Sequence, residues 1–438
     1  MAEARAMIAA VTSAFTDFGP GKVSADPLGW PGYPAALAAA TERTGERESV
    51  VCGRARIGDT EAVLIAFDFR FLGGSIGSAT GAMLTNAFEA AVSAGLPVVS
   101  MLATGGSRMQ EGMLALRQLQ LVSAAAAALR AAGPPHVAVL CDPTTGGVWA
   151  SLGAGADVVL GVAGAQVGFA GSRVRPVVFA QDPAYTAEGQ LAAGAVDEVV
   201  DAATLRGVLG QWLALLGDLP APRPAPVPRA LGEAEPARDG WAAVLRARLA
   251  ARPRASAYLD DYFELRRPVS GDRAGGVDPG MLCGIGRRDG QVIAYAAQAG
   301  TATTPAGFRT AARLIRLAGR LGLPVLTLVD TPGAAVDPGA ERAGLGPAIA
   351  SLFAAVAEVT VPVTTLVIGE GGSGGALALS APDATWITPD GYFAVIAPEL
   401  AAAILKRSAA DVPATAGQLR LRPADLVELG VVRGIVTT

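Results

Sequence analysis

The chain repeats itself. The segment GLPVVSML at 95–102 returns as GLPVLTLV at 322–329, and HVAVLCDPTTGGVWASLGAGADVVL (136–160) is answered by VTTLVIGEGGSGGALALSAPDATWI (363–387). Gly194 in AAGAVDEVV (192–200) has its counterpart in Gly430 of ELGVVRGIV (428–436). Pro97 and Pro324 stand 227 residues apart, Asp157 and Asp383 226. Order and spacing are both kept, which requires two copies of one folding unit. Between the copies lies LPAPRPAPVPRALGEAEP (219–236), with six prolines. Proline at alternate positions holds neither a helix nor a central strand. The expected division is therefore a first domain over 1–218, a linker over 219–236 and a second domain over 237–438.

Each copy alternates helix and strand. Residues 79–95 predict a helix ending at Gly95, and 108–133 a long helix ending at Gly133. PVVSML and HVAVL read as buried strands. In the second copy 306–322 predicts a helix with Arg313, Arg316 and Arg320 on a solvated face, and PVLTLV and VTTLVI predict strands. Alternating elements with continuous apolar strands give an α/β fold, its sheets covered by helices. Of the 438 residues, 51% are hydrophobic and 17% charged, enough for sizeable cores. The net charge of −4 argues against nucleic-acid binding. Only two lysines occur, Lys22 and Lys406. Cys52, Cys141 and Cys283 are too dispersed for a disulfide framework or a metal site. Glu3 and Arg5 break the N-terminal apolar run, and no uninterrupted apolar run reaches 18 residues, so a cytoplasmic location without membrane contact is expected.

Glycine gathers where strands end. Gly105-Gly106 follow one strand and Gly146-Gly147 the next. The second copy has Gly333 after PVLTLVDTP, then Gly369, Gly371, Gly372, Gly374 and Gly375. Glycine inside an ordered element costs roughly 0.5–1 kcal/mol against alanine, so these runs need a reason. One reason is tight turning. The other is backbone access: a glycine pair opening a helix leaves N–H groups pointing outward, with the helix dipole behind them. Two such groups near one point bind a developing oxyanion.

Rival motifs fit poorly. GEGGSG (369–374) matches a dinucleotide pattern, but its helix is cut short at Pro382 and TTGG in the first copy lacks the pattern. Neither lysine completes a phosphate-binding loop. His136, the single histidine, opens an apolar strand and reads as a satisfied core residue, which removes a serine–histidine hydrolase. Cys141 has no base beside it and reads as a buried thiol. Acyl chemistry without a side-chain nucleophile is what remains.

At these residues the sequence resembles the carboxyltransferase of acetyl-CoA carboxylase and its acyl-CoA relatives, in the crotonase superfamily. DPLGW (26–30), FLGGSIGSATG (71–81), ATGGSRMQEG (103–112), DPTTGGVWAS (142–151) and VGFAGSRV (167–174) are similar to the β subunit. LVDTPGAAVDPGAER (328–342), VIGEGGSGGALAL (367–379), AVIAPELAAAILKRSA (394–409) and LRLRPADLVELGVVRGIV (419–436) are similar to the α subunit. The β subunit's four-cysteine zinc ribbon has no match here. In place of the α subunit's basic HQKGR-like segment stands AAQAGTATTPAG (296–307), which is shorter and has no Lys or Arg.

The resemblance implies two tandem crotonase-like (ββα-spiral) domains. It implies transfer of CO2 from carboxybiotin, carried on a separate protein, to the α-carbon of a short acyl-CoA, such as acetyl-CoA to malonyl-CoA, through an enolate. Carried over by motif, the amides at Gly147 and Val148 hold the thioester oxygen. Those at Gly375 and Ala376 hold the ureido oxygen of biotin. Gly105, Gly106, Ser107, Arg108, Gly146, Phe169, Gly171 and Arg173 line the acyl-CoA side, and Gly333, Gly372 and Gly374 the biotin side. The implied partners are a biotin carboxyl carrier protein, a biotin carboxylase and further copies of the chain in a homodimer or larger assembly. No metal is implied. Two alternatives stand beside this: a biotin-independent decarboxylase of malonyl or methylmalonyl thioesters, on CoA or a carrier protein, and a non-catalytic carboxyltransferase-like subunit.

Overall fold

The computed structural model describes residues 3–19, 21, 25–179, 181–217 and 221–438. Lys22, the expected domain limit at 218 and the first two residues of the expected linker lie outside the described residues. The chain forms two compact units: Met1–Asp218 with Arg273–Gly275, and Leu219–Asp272 with Gly276–Thr438.

In the first unit the strands are β1 (Ala14–Asp17), β2 (Val50–Ile57), β3 (Thr60–Phe67), β4 (Val98–Thr104), β5 (His136–Thr145), β6 (Val158–Val162), β7 (Val167–Gly168) and β8 (Glu198–Val200). Their order is β1-β2-β3-β4-β5-β6-β8, with β7 added to the end of β5. The β1–β2 and β2–β3 pairs are antiparallel, and β3 onward is parallel. Every residue of β4 is buried, as a strand with helices on its faces requires.

In the second unit they are β9 (Leu265–Pro268), β10 (Met281–Arg288), β11 (Gln291–Gln298), β12 (Val325–Thr331), β13 (Val363–Gly372), β14 (Thr385–Ile387) and β15 (Tyr392–Ala394). The order β14-β13-β12-β11-β10-β9, with β15 added to the end of β13, repeats the first sheet. The hydrogen-bond register repeats too. Val98 pairs with His136 and Val325 with Val363, and both strand pairs slip at their last turn, so that Thr104 pairs with Thr144 and Thr331 with Gly371.

The helices fall close to the expected places. Ser78–Ala94 ends on left-handed Gly95 and Pro305–Leu321 on left-handed Gly322. The long helix expected from 108 is interrupted. A 3-10 turn at Met109–Glu111 precedes Gly112–Ala132, because Gly112 at φ +51° redirects the chain. Ala115, Val122 and Leu129, seven apart, form its buried stripe, and the helix packs on the Ser78–Ala94 helix. By length and composition alone, Met109–Ala132 is long and apolar enough to cross a membrane.

Two expectations are corrected here. Arg313 is not part of a solvated face: it is half-buried and donates to the carbonyls of Ser270 and Gly271 at 2.9 and 3.1 Å, while Arg316 is exposed as expected and donates to Ser351. The proline-rich stretch carries no helix or strand over 221–236, yet it is no free spacer. Its carbonyls, which proline leaves without local donors, are taken up by the second unit. Thr364 donates to Ala225 at 2.9 Å and Tyr262 to Pro226 at 2.8 Å. Ala225 itself enters the core formed by Tyr258, Leu259, Ile293 and Leu326.

Candidate functional site

In the first unit β4 and β5 end side by side. The Thr104 hydroxyl accepts from the Gly106 N–H at 3.0 Å, and the Thr145 hydroxyl donates to the Thr104 carbonyl at 3.2 Å. Gly106 (φ +108°) and Gly146 (φ +73°) let the two chains almost touch. A Cβ added at Gly146 would lie 3.1 Å from the Gly106 Cα. The short helix Gly146–Val148 starts there. Gly146 spends its N–H on the Phe169 carbonyl at 3.0 Å. The next two groups, of Gly147 and Val148, have no partner within a helix that short.

The second unit builds the same turn. The Gly333 N–H donates to the Thr331 hydroxyl at 3.1 Å, and the short helix Ser373–Leu377 opens after β13. Thr104 and Thr331, and Thr144 and Gly371, both stand 227 residues apart. This register sets Ser373 opposite Gly146, Gly374 opposite Gly147 and Gly375 opposite Val148. Gly147 and Val148 thus correspond in register to Gly374 and Gly375, whereas the resemblance places the biotin-side donors at Gly375 and Ala376. Ala376, like Val148 in the first unit, is fully buried, and Gly375 lies beneath the Gly333–Ala334 turn, where an added Cβ would come within 2.5 Å of the Ala334 nitrogen. Gly374 is the open position: a Cβ there would meet nothing within 4 Å.

The other candidates separate by exposure. Gly105 is exposed and bonded through its N–H to Gly73 at 2.8 Å; Ser107 is half-buried and bridges to Ile76. Phe169 (70% exposed), whose carbonyl takes the Gly146 N–H, stands open beside the first turn, Gly171 lies against Thr145, and Arg173 is exposed two residues further on. Gly372 packs against Pro332.

Arg108 is corrected. Its side chain is 0% exposed, so it offers nothing to a ligand. Its two guanidinium arms grip Glu48 at 2.8 and 2.7 Å, and it also donates to the Ser75 carbonyl at 2.8 Å. Burial works against its charge, but Glu48 holds its proton affinity above the ordinary value. Glu111 is buried beside it, accepting from the Tyr33 hydroxyl at 2.7 Å and the Ser78 N–H at 2.6 Å. It therefore caps the Ser78–Ala94 helix rather than its own.

His136 and the thiols behave as expected. The His136 ring bonds Ser100 at 2.9 Å and meets Phe88 edge-on. Burial, with Arg130, pulls its pKa down to about 4. Burial pushes Cys141 and Cys283 up to about 12.

Sequence reasoning missed four supporting residues. Glu48 and Tyr33 hold Arg108 and Glu111; no spacing rule joins them. Asp330 is buried behind the second turn and held by Arg252 at 2.5 Å and Arg254 at 3.1 Å. Gln298 is fully buried and donates to the Gly375 carbonyl at 3.0 Å and to Thr303 at 3.2 Å. The only signal for it was a lone polar residue closing an apolar strand. Among the described residues no group of three or more His, Cys, Asp or Glu side chains could hold a metal ion.

Both turns offer polarised backbone N–H groups on glycine-lined surfaces, with no nucleophile–base pair beside them among the described residues. That arrangement binds carbonyl oxygens. Comparison with known proteins agrees. A family described as carboxyl transferase domain matches residues 31–216, and one described as acetyl co-enzyme A carboxylase carboxyltransferase-like matches 237–438. The chain is 42% identical over 438 residues to the acetyl-coenzyme A carboxylase carboxyl transferase subunits beta/alpha of Salinispora tropica, covering 94% of this chain and 77% of that protein. It is 34% identical over 414 residues to a probable biotin-dependent acyl-coenzyme A carboxylase beta3 subunit of Mycobacterium bovis, covering 92% and 83%. In fold it is similar to the transcarboxylase 12S hexamer solved with methylmalonyl-coenzyme A and methylmalonic acid, with TM-score 0.83 and 20% identity over 99% of this chain and 86% of that one. Its α/β architecture is a tandem of crotonase-like units, and the chain belongs to the carboxyltransferase family of the acyl-CoA carboxylases.

Proposed function

We propose that the protein transfers a carboxyl group from carboxybiotin to the α-carbon of a short acyl-CoA, acetyl-CoA or a near homologue. The observation that carries this reading is the pair of matched turns, each presenting backbone donors and no reactive side chain. In the first unit the N–H groups of Gly147 and Val148 bind the thioester oxygen and would stabilise the enolate formed when the α-proton leaves; in the balance of the transfer that proton replaces the carboxyl group on the biotin nitrogen. One donor of this kind is worth about 2.7–4 kcal/mol in the transition state. Phe169 beside that turn and Arg173 contact the acyl-CoA.

In the second unit the open backbone at Gly374, with Gly375 behind it, fits a ureido carbonyl. A side chain at Gly374 would fill that space. Biotin, borne by a separate carrier protein and charged by a biotin carboxylase, supplies the carboxyl group. The chain works in the cytoplasm as a homodimer or larger assembly.

The test supplies acetyl-CoA or propionyl-CoA with ATP, bicarbonate, biotin carboxylase and biotinylated carrier, and follows products by mass. A product heavier by one CO2 supports the reading, and no carboxylated product with any short acyl-CoA overturns it. Loss of malonyl-CoA without biotin would assign decarboxylation instead.

A further inference from the structure

We infer that the buried Arg108–Glu48 pair is the positioning device of the first turn. It fixes where the Gly105–Gly106 loop stands and so where the acyl-CoA oxygen is bound. This rests on the function proposed above.

The loop is stitched to residues 73–76 by three backbone bonds. Gly105 donates to Gly73 at 2.8 Å, Ile76 to Gly106 at 2.9 Å and Arg108 to Ile76 at 2.8 Å. The Thr104 hydroxyl also accepts from the Gly106 N–H at 3.0 Å, and the Ser49 hydroxyl donates to the Ser75 carbonyl at 2.8 Å. The Arg108 side chain is the link that runs from the Gly105–Gly106 loop through residues 73–76 to a buried charge: it reaches the Ser75 carbonyl and oxygen Oγ at 2.8 and 3.3 Å and ends on Glu48. Glu48 is fixed in turn by the Ser49 N–H at 3.0 Å and the Thr80 hydroxyl at 2.6 Å, at the threshold of β2. Gly77 is held bare by the cluster: a Cβ there would come within 2.7 Å of the Arg108 Nη1.

Stability alone does not call for such a pair. Apolar groups of similar volume often serve as well or better than buried ions. What ions add is direction, because a bidentate guanidinium–carboxylate contact has one geometry. A misplacement on the order of 1 Å costs about a hundredfold in rate.

The variants are Glu48→Gln, which removes the charge at constant shape, and Glu48→Asp, which keeps the charge but draws Arg108 back. Two readouts are taken on the full-length protein at a temperature where both variants are folded by circular dichroism. The first is amide hydrogen exchange over residues 104–108, with 331–335 as the internal control. The second is the split between kcat and KM for acyl-CoA. The expected result is faster exchange over 104–108 only, with kcat lowered about tenfold to a hundredfold and KM changed little. Exchange equal to wild type over 104–108, or full kcat in both folded variants, overturns the inference. If the wild-type protein transfers no carboxyl group, the proposed function falls, while the exchange measurement still decides whether the pair positions the loop.

Discussion

Gly146 and Ser373 occupy one structural place in two units, and both carry left-handed backbone, at φ +73° and +55°. One is a glycine, which takes that conformation freely. The other is not, and a left-handed L-residue costs roughly 1–2 kcal/mol. Each stands where a strand end hands over to the helix that offers its N–H groups. The turn geometry is therefore held even where the residue opposes it.

Gly146→Ala is expected to be costly. Its methyl group would carry the left-handed penalty and press on the Gly106 Cα at 3.1 Å. A loss of about 1–3 kcal/mol is expected in thermal denaturation. Ser373→Gly removes a comparable strain and is expected not to lower the melting temperature. A Gly146→Ala protein as stable as wild type would contradict this account of the turn.

Gly374→Ala and Gly375→Ala, though adjacent, are expected to differ in kind. A methyl at Gly375 meets the Gly333 carbonyl carbon at 2.8 Å and the Ala334 nitrogen, backbone that cannot step aside. It should cost about 1–3 kcal/mol of stability. At Gly374 the methyl enters open space. That variant should melt like wild type and lose roughly tenfold or more in turnover, on the order of one weakened donor. Melting curves and initial rates on both proteins separate the two effects.

Acid should weaken the protein through His136. Its folded pKa of about 4 lies below the ordinary 6.5, so the fold favours the neutral ring. The unfolded chain then binds the extra proton between these values. Stability from this residue is complete above about 6.5 and falls as pH drops toward 4, by roughly 3 kcal/mol in all. Urea midpoints for wild type and His136→Gln at pH 7 and 4.5 should show a smaller acid loss in the variant. Equal losses would show that His136 does not drive it.

Thiol reagents should leave the native enzyme untouched. Cys52, Cys141 and Cys283 are buried, and burial raises all three pKa values, two of them to about 12. The reactive thiolate is accordingly scarce at neutral pH. Iodoacetamide should add mass only after denaturation, with no loss of turnover beforehand. Labelling of the folded protein at any of the three would refute this.

The repeat, the strands and the glycine turns were legible in the chain because they rest on local rules: period, apolar runs and the residues that stop helices. Gly95, Gly133 and Gly322 end helices where they were expected to, and His136 was placed correctly from its apolar strand. The two glycine turns were recognisable as counterparts from their places at strand ends, but which residue of one answers which residue of the other was not legible: letters such as GG and GGA can slide along one another, whereas the ladder between β12 and β13 admits one register.

What the sequence by itself determined was the pair of like units and the kind of chemistry they can host, since both follow from spacing along the chain. The tertiary structure alone decided that Arg108 faces inward to Glu48, 60 residues away, and that Gln298 supports a carbonyl 77 residues ahead of it. It also decided that a proline-rich stretch becomes part of a core. Each of these is a contact between distant segments, in which a buried polar group must find whatever partner the folded backbone brings within reach.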